Sequence, residues 1–334
     1  MSAMHRMFRA PPPHRLAFDA AARRRHKRRN VLHSVLLLVG MAAILWVSAW
    51  SLWGTAVAFW AMVGGVLGFV LTPGVAPDWV MRAYRARPLD RRSFPEGVAL
   101  LEELAARAGL DHVPRLHLLP SATLNAFAVG SSREAAIGIT DGLLRALDAR
   151  ELAAVLAHEL SHVRNNDLWL MALADTMSRL TSLMATMGLF LAVLSLPLLL
   201  LGMAPVPLLT LAVLILAPTI GSLLQLALSR AREFDADLEA ATLTRDPAGL
   251  ASALRKLDRY QGAFWEEIVL PGRRMPEPSL LRTHPPTAER IERLLSLYGA
   301  ATLPVSAIGP LRHHLPAGPA YGGPPRYRWP GFWY

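Results

Sequence analysis

His158, Glu159 and His162 stand in the order His-Glu-Leu-Ser-His, and those residue types at that spacing are the makings of a hydrolytic metal site. Residues four apart share a helix face, so both imidazoles can reach one ion. The glutamate beside the first histidine then sits where it can take a proton from water activated by that ion. The competing account is a surface helix that carries two histidines and a salt-bridging glutamate, so the surrounding sequence has to decide. A site that keeps a position for water needs a third protein ligand. The best candidate is Glu233, within Ser229-Arg230-Ala231-Arg232-Glu233-Phe234-Asp235-Ala236-Asp237. Glu233 and Asp237 are four apart on one helix face, so Glu233 can bind the ion while Asp237 orients a neighbouring ligand. The alternative for this stretch is a solvated charged helix. Glu151, Asp235 and Asp237 are the next candidates for the third ligand. The chain has no cysteine, which excludes disulfides and thiol chemistry and leaves His, Asp and Glu as its strong metal ligands.

The elements that must position these residues are legible around them. Asp148 reads as an N-cap, with Glu151 three residues later reaching back. Leu152, Val155, Leu156, Leu160 and Val163 follow at helical spacing and predict the buried face of the helix that bears both histidines. Between 78 and 166 the pattern is mixed α/β. Pro95 to Ala108 has helical spacing with Gly109 as its C-terminal cap, and Leu116 to Leu119 is strand-like with His117 read as solvent-facing. Asn125–Val129 and Ala135–Thr140, joined by Gly130-Ser131-Ser132, predict a hairpin. An edge strand there could bind an extended peptide through its backbone; the other account is a purely structural hairpin. Residues 229–299 read as helical, broken at Asp246-Pro247 and closed by Gly299, with Pro271–Pro278 a loop able to border a substrate groove.

Two further segments bear on the chemistry. One is Asn125-Ala126-Phe127-Ala128-Val129-Gly130 with Ala136-Ile137-Gly138-Ile139-Thr140. The other is Thr283-His284-Pro285-Pro286-Thr287-Ala288-Glu289-Arg290-Ile291. With His158–His162 and Ser229–Asp237 they make four motifs in order. In these the chain resembles the M48 metallopeptidases, and most closely the HtpX-type membrane-bound proteases, from about residue 30 to about residue 299. The resemblance implies a zincin-like domain in which His158, His162 and Glu233 hold one zinc ion per chain and Glu159 is the general base. It implies that His284 stabilises the tetrahedral oxyanion and that Arg290 supports the site, paired with Asp237. The hairpin would lie beside the active site, which makes Asn125, Ala126, Phe127 and Ala128 candidate substrate-binding residues. Its biological implication is cleavage of membrane or misfolded proteins in quality control and stress response.

Composition points independently to a membrane. Hydrophobic residues make up 53% of the chain and mean hydropathy is +0.30, high for a soluble globular protein. No Asp, Glu, Lys or Arg occurs from Val31 to Pro77 or from Leu180 to Ser229. Each stretch has room for two helices of about 20 residues. In the first, Ser51-Leu52-Trp53-Gly54-Thr55 can turn, giving spans near 31–50 and 55–72. In the second, Gly202 to Pro207 divides spans near 180–201 and 208–228. Trp46, Trp50 and Trp53 fit an interfacial belt.

The expected architecture is therefore mainly α with a small β-hairpin or sheet: an integral membrane protein with two transmembrane helical hairpins and a metallopeptidase domain. A basic tail (1–30) precedes the first hairpin (31–77). The two halves of the peptidase domain (78–179 and 229–299) flank the second hairpin (180–228), and a flexible tail rich in Pro, Gly and aromatics (300–334) ends the chain. Glu233 can meet His158 and His162 only if an even number of crossings lies between them. Arginines cluster on the inner flanks and are missing from the outer turns, which places both termini and the catalytic halves in the cytoplasm of a bacterial inner membrane. Nine Lys/Arg against one Asp in residues 1–30 concentrate +8 of the formal +10 in that tail. It reads as a topology determinant that touches anionic lipid; without aromatic interleaving or a reader motif, no nucleic-acid partner is expected. A cleaved signal peptide is not expected, because the apolar run is too long and a second span follows. His313-His314 reads as an unstructured pair rather than a ligand pair. The function that follows is a membrane-bound zinc endopeptidase acting on protein substrates. Its alternative is a non-catalytic membrane scaffold that retains the fold, for which Glu159 and three ligands would be superfluous.

Overall fold

The computed structural model describes residues 20–71, 76–197, 201, 208–268, 287–298, 327–328 and 332–333. In chain order the elements are α1 (Ala20–Leu71), α2 (Pro77–Ala83), β1 (Arg87–Leu89), α3 (Pro95–Ala108), β2 (Arg115–Leu119), β3 (Ala126–Gly130) and β4 (Ala135–Thr140). Then follow α4 (Asp141–Ala146), α5 (Ala149–Arg164), α6 (Asp167–Leu194), α7 (Leu208–Thr244), α8 (Pro247–Ile268) and α9 (Thr287–Tyr298), and the short antiparallel pair β5 (Tyr327–Arg328) and β6 (Phe332–Trp333). The protein is thus mainly helical with a small mixed sheet. Two compact units divide it: Val75–Leu168 with the residues from Glu233 onward, and Arg25–Gly74 with Trp169–Arg232.

The second unit is built from apolar helices. Among the described residues three helices are long and apolar enough to cross a membrane: Val31–Leu67, Asp167–Leu194 and Leu209–Thr244. Large apolar side chains such as Leu36, Trp60, Phe190, Val193 and Leu223 stay exposed on them, as lipid-facing residues do. Gly54, inside the segment expected to turn, leaves the helical region altogether (φ 79°, ψ 179°), a backbone state that a side chain would strain. Small residues let the helices approach: Gly188 faces Leu52 and Leu214, Gly40 faces Leu224, and Gly65 faces Leu180. Met41, Ala174 and Leu228 form a buried cluster. The Gly202–Pro207 break lies outside the described residues.

The first unit holds the sheet, in the order β1-β2-β4-β3. β2 runs parallel to β4, and β1 and β3 are antiparallel edges. Ile137 and Ile139 of β4 are fully buried and join Leu101 and Leu104 of α3, Leu143 of α4 and Leu152, Leu156 and Leu160 of α5 in one core. The expected hairpin turn is present: Gly130 has φ 101°, and a Cβ there would meet the Glu134 carbonyl oxygen at 2.1 Å. His117 is a correction. Alternation predicts that it faces solvent, but it is buried, because α2 covers this face of the sheet: Met81 sits over Gly138, the register partner of His117; burial pushes its imidazole pKa down.

The histidine-bearing helix α5 starts where its sequence says. The Asp148 carboxylate accepts from the Glu151 amide, and Glu151 accepts from the Asp148 amide, each at 2.9 Å. Glu151 also accepts from Ser252 Oγ (2.7 Å) and Lys256 Nζ (2.6 Å) of α8, so it is spent on structure rather than on a metal. Arg150 forks onto Asp246 at 2.6 and 2.7 Å, tying the start of α5 to the loop between α7 and α8. At the other end Arg164 and Asn165 both donate to Glu239 of α7. Helix α5 is therefore anchored to α7 and α8 at both ends, which fixes the face that carries its histidines.

Candidate active site

The two imidazoles project from one face of α5, one turn apart, and Glu233 of α7 meets them. His158 Nε2 and His162 Nε2 are 3.3 Å apart. His158 Nε2 lies 3.4 Å from Glu233 Oε2, and His162 Nε2 lies 3.7 Å from Glu233 Oε1. The three donor atoms lie within 4.8 Å of one another, and the surroundings are closed: His158 and Glu233 are buried, His162 partly so.

Each ring is approached from behind by a carboxylate. His158 Nδ1 is 3.1 Å from Asp237 Oδ1, although the ring orientation falls short of a well-aligned hydrogen bond. His162 Nδ1 is 3.0 Å from Asp167 Oδ2. Arg290 of α9 donates to both oxygens of Asp237 at 2.8 and 2.6 Å and also stands 3.3 Å from Glu233 Oε2. Burial opposes the charge on Arg290, but Asp237, then Glu233 and Glu159, outweigh it and raise its pKa.

This donor set suits a metal ion. With a carboxylate beside each Nδ1, at 3.1 Å for His158 and 3.0 Å for His162, both Nε2 atoms and the Glu233 carboxylate are left to converge, and acceptors gathered in a buried space call for a cation. Ligands bound at about 2.0–2.1 Å in a tetrahedral arrangement stand about 3.3–3.4 Å apart; the two imidazole Nε2 atoms match this at 3.3 Å, while the full set of one atom per residue spreads to 4.8 Å. The same demand governs the protons. Burial alone would favour neutral His158, but Asp237 and then Glu233 prevail, and its pKa is pushed up to about 10. A metal bound there would displace that proton, so its affinity falls with falling pH.

Glu159 neighbours His158 on α5, is only partly buried, and is not one of the three converging donors. Asn125 precedes edge strand β3, and Ala126, Phe127 and Ala128 lie on it; β3 packs against α5. Thr140 pins the entry to this strand: its hydroxyl accepts from the Asn125 amide at 3.0 Å and lies 2.6 Å from the Thr123 carbonyl, to which it donates. His284 falls outside the described residues. The structure therefore brings together His158, Glu159, His162, Glu233, Asp237 and Arg290. It adds two residues that the sequence reading passed over, Asp167 behind His162 and Glu239 beneath the end of α5. Their only sequence signal is position: polar Asn165-Asn166-Asp167 directly after the histidine helix, and Glu239 two residues past Asp237.

A convergent His-His-Glu set beside a glutamate, in a chain with helices fit to cross a bilayer, defines a membrane-bound metalloprotease. The chain belongs to peptidase family M48, whose family model matches residues 94–298. It is 34% identical over 280 residues to the "Protease HtpX homolog" of Ralstonia pickettii (strain 12J), covering 75% of this chain and 96% of that one. To the protein of the same description from Ralstonia nicotianae it is 34% identical over 287 residues, covering 78% and 99%. Among solved structures, the crystal structure of S. mikatae Ste24p aligns with a TM-score of 0.48 at 19% identity, covering 81% of this chain and 66% of that one. The protein is a multi-pass membrane protein that acts on protein substrates and contacts lipid.

Proposed function

We propose that the protein is a zinc-dependent endopeptidase of a bacterial inner membrane that cleaves membrane or misfolded proteins in quality control. The observation that carries the metal assignment is the convergence of His158, His162 and Glu233 on one buried point beside Glu159. A zinc ion held by these three residues would polarise a scissile carbonyl and make a nearby water acidic enough to attack it. Glu159 accepts the proton of the attacking water and returns it to the leaving amine. His284, by family resemblance, donates to the oxyanion that develops in the transition state. Asp237 holds His158 at Nδ1, and Arg290 holds Asp237.

The substrate would lie along β3. Asn125 accepts from the Thr140 amide at 3.0 Å, so by the alternation of an antiparallel ladder Phe127 pairs with Gly138 through the backbone. The main-chain groups of Ala126 and Ala128 then point away from β4, where an extended peptide could pair with them. A test of the whole reading is zinc content and cleavage of an unfolded protein by the purified, detergent-solubilised chain. Chelation should abolish cleavage and zinc should restore it; undiminished cleavage by metal-free protein would refute it. Within the ligand set, Glu233→Ala should lose zinc to a chelator that leaves wild type loaded, whereas Asp237→Asn should weaken binding about 10–100-fold. Wild-type zinc retention by the Glu233→Ala protein would move the third ligand elsewhere.

We further propose two transmembrane hairpins around a zincin-like domain whose halves span about 78–179 and 229–299, with that domain and both termini cytoplasmic. Packing supports reversals near Gly54 and between α6 and α7. Leu52 packs beside Gly188 and Leu214, yet Gly65 packs beside Leu180, eight residues before Gly188 on α6. A straight α1 would carry Gly65 roughly 20 Å past Leu52. The arginines of the inner flanks support the orientation and contact with anionic lipid. An impermeant thiol reagent applied to intact cells should modify a cysteine at Thr55 and spare cysteines at Ala122 and Asp258. Labelling of Ala122→Cys but not Asp258→Cys would place the two halves of the site on opposite sides and rule the topology out.

A further inference from the structure

The polar residues that follow the histidine helix hold a device that the ligand triad alone does not explain. α5 ends at Arg164 and α6 begins at Asp167, so two residues make the whole connection. Asn166, the second of them, has φ 54°, in the left-handed region, and its amide reaches the Val163 carbonyl oxygen at 3.3 Å. That conformation is uncommon for any residue with a side chain, and asparagine is among the few that tolerate it. Asn166 is exposed, so no packing of its own holds it there. What the tight turn achieves is to fold Asp167 back under α5. Asp167 is 2% exposed, and its Oδ2 lies 3.0 Å from His162 Nδ1.

We propose that Asp167 is the positioning residue for His162, and that the left-handed Asn166 is kept to deliver it; this rests on the metal site proposed above. An imidazole can turn about its χ2 bond and can carry its proton on either nitrogen. A carboxylate at Nδ1 settles both, holding the ring plane and the Nδ1–H tautomer so that the Nε2 lone pair faces Glu233 and His158. The two ligand histidines are thus supported separately. Asp237 serves His158 and is itself held by Arg290, whereas Asp167 serves His162 from the first residue of α6, where the amide dipoles of a helix start favour a carboxylate.

The test uses the full-length chain in detergent, with Zn2+ and Co2+ as probes. Zinc affinity is read by competition with a chromophoric chelator, and ligand geometry by the visible absorption of the Co2+-loaded protein. Asp167→Ala should lower zinc affinity about 10–100-fold and alter the Co2+ spectrum, and Asp167→Asn, which keeps an acceptor but not the charge, should lose less. Asn166→Gly, which accepts the same backbone angles, should bind zinc as wild type does. Asn166→Val, which resists them, should weaken binding although it touches no ligand. Wild-type affinity and an unchanged spectrum in Asp167→Asn and in a folded Asp167→Ala protein would overturn the proposal. If Asp167→Ala does not fold, the Asn variant alone decides by the same two readouts. A wild-type chain that binds neither ion would instead overturn the metal site itself.

Discussion

Replacing Glu159 with Gln should leave about one metal ion per chain and reduce peptide cleavage by roughly 10²–10⁴-fold or more, the span that general-base catalysis supplies on its own. The two halves of that expectation come from different observations. Metal retention follows because the converging donors are His158, His162 and Glu233, and Glu159 is not among them. Loss of activity follows because glutamine has nearly the same shape but cannot take a proton from water. Cleavage of an unfolded protein and metal content, measured on the same samples, check both halves. Cleavage at the wild-type rate would remove Glu159 from the mechanism. Equal inactivity of wild type and variant, both loaded with metal, would favour a scaffold that keeps the site without using it.

The sequence exposes this site unevenly, for physical reasons. His158, Glu159 and His162 are legible because a helix puts i and i+4 on one face, and the Asp148–Glu151 capping box sets where that helix begins. Glu233 and Asp237 are legible by the same spacing one helix further on. Asp167 is not, because its approach to His162 depends on one backbone angle at Asn166, and no periodicity encodes a single left-handed residue. Glu239 is missed for a related reason. Its partners Arg164 and Asn165 lie 75 and 74 residues away, and a charged residue on a helix looks the same in sequence whether it meets water or a cation from another helix. His117 misleads because alternation along a strand reports one face only. Its burial follows from α2, whose Met81 covers the face on which His117 pairs with Gly138. Local rules thus recover the ligands and the elements that bear them, while the contacts behind the ligands depend on turns and long-range order.

Arg290 is where the largest loss of stability is expected. Its guanidinium is 6% exposed, forks onto Asp237 at 2.8 and 2.6 Å, and stands 3.3 Å from Glu233. Arg290→Met keeps much of the buried stem but takes from the Asp237 carboxylate its forked partner, leaving His158 beside it, and removing one partner of a buried ion pair costs about 3–5 kcal/mol. A thermal or denaturant unfolding midpoint should therefore fall sharply in the metal-free protein. Adding Asp237→Asn to that variant should recover part of the loss, since the charge that lost its arginine goes with it, and the non-additivity of the cycle measures the pair. Arg290→Lys should fall between, because an ammonium keeps the charge but cannot donate two parallel bonds to one carboxylate. Function separates from stability in this series. The double variant should regain midpoint without regaining zinc affinity, because His158 Nδ1 then faces an uncharged amide in place of Asp237. If it recovers both, Asp237 and Arg290 hold the fold alone. If Arg290→Met unfolds at the wild-type midpoint, the charge of Asp237 is satisfied by something other than the arginine seen beside it.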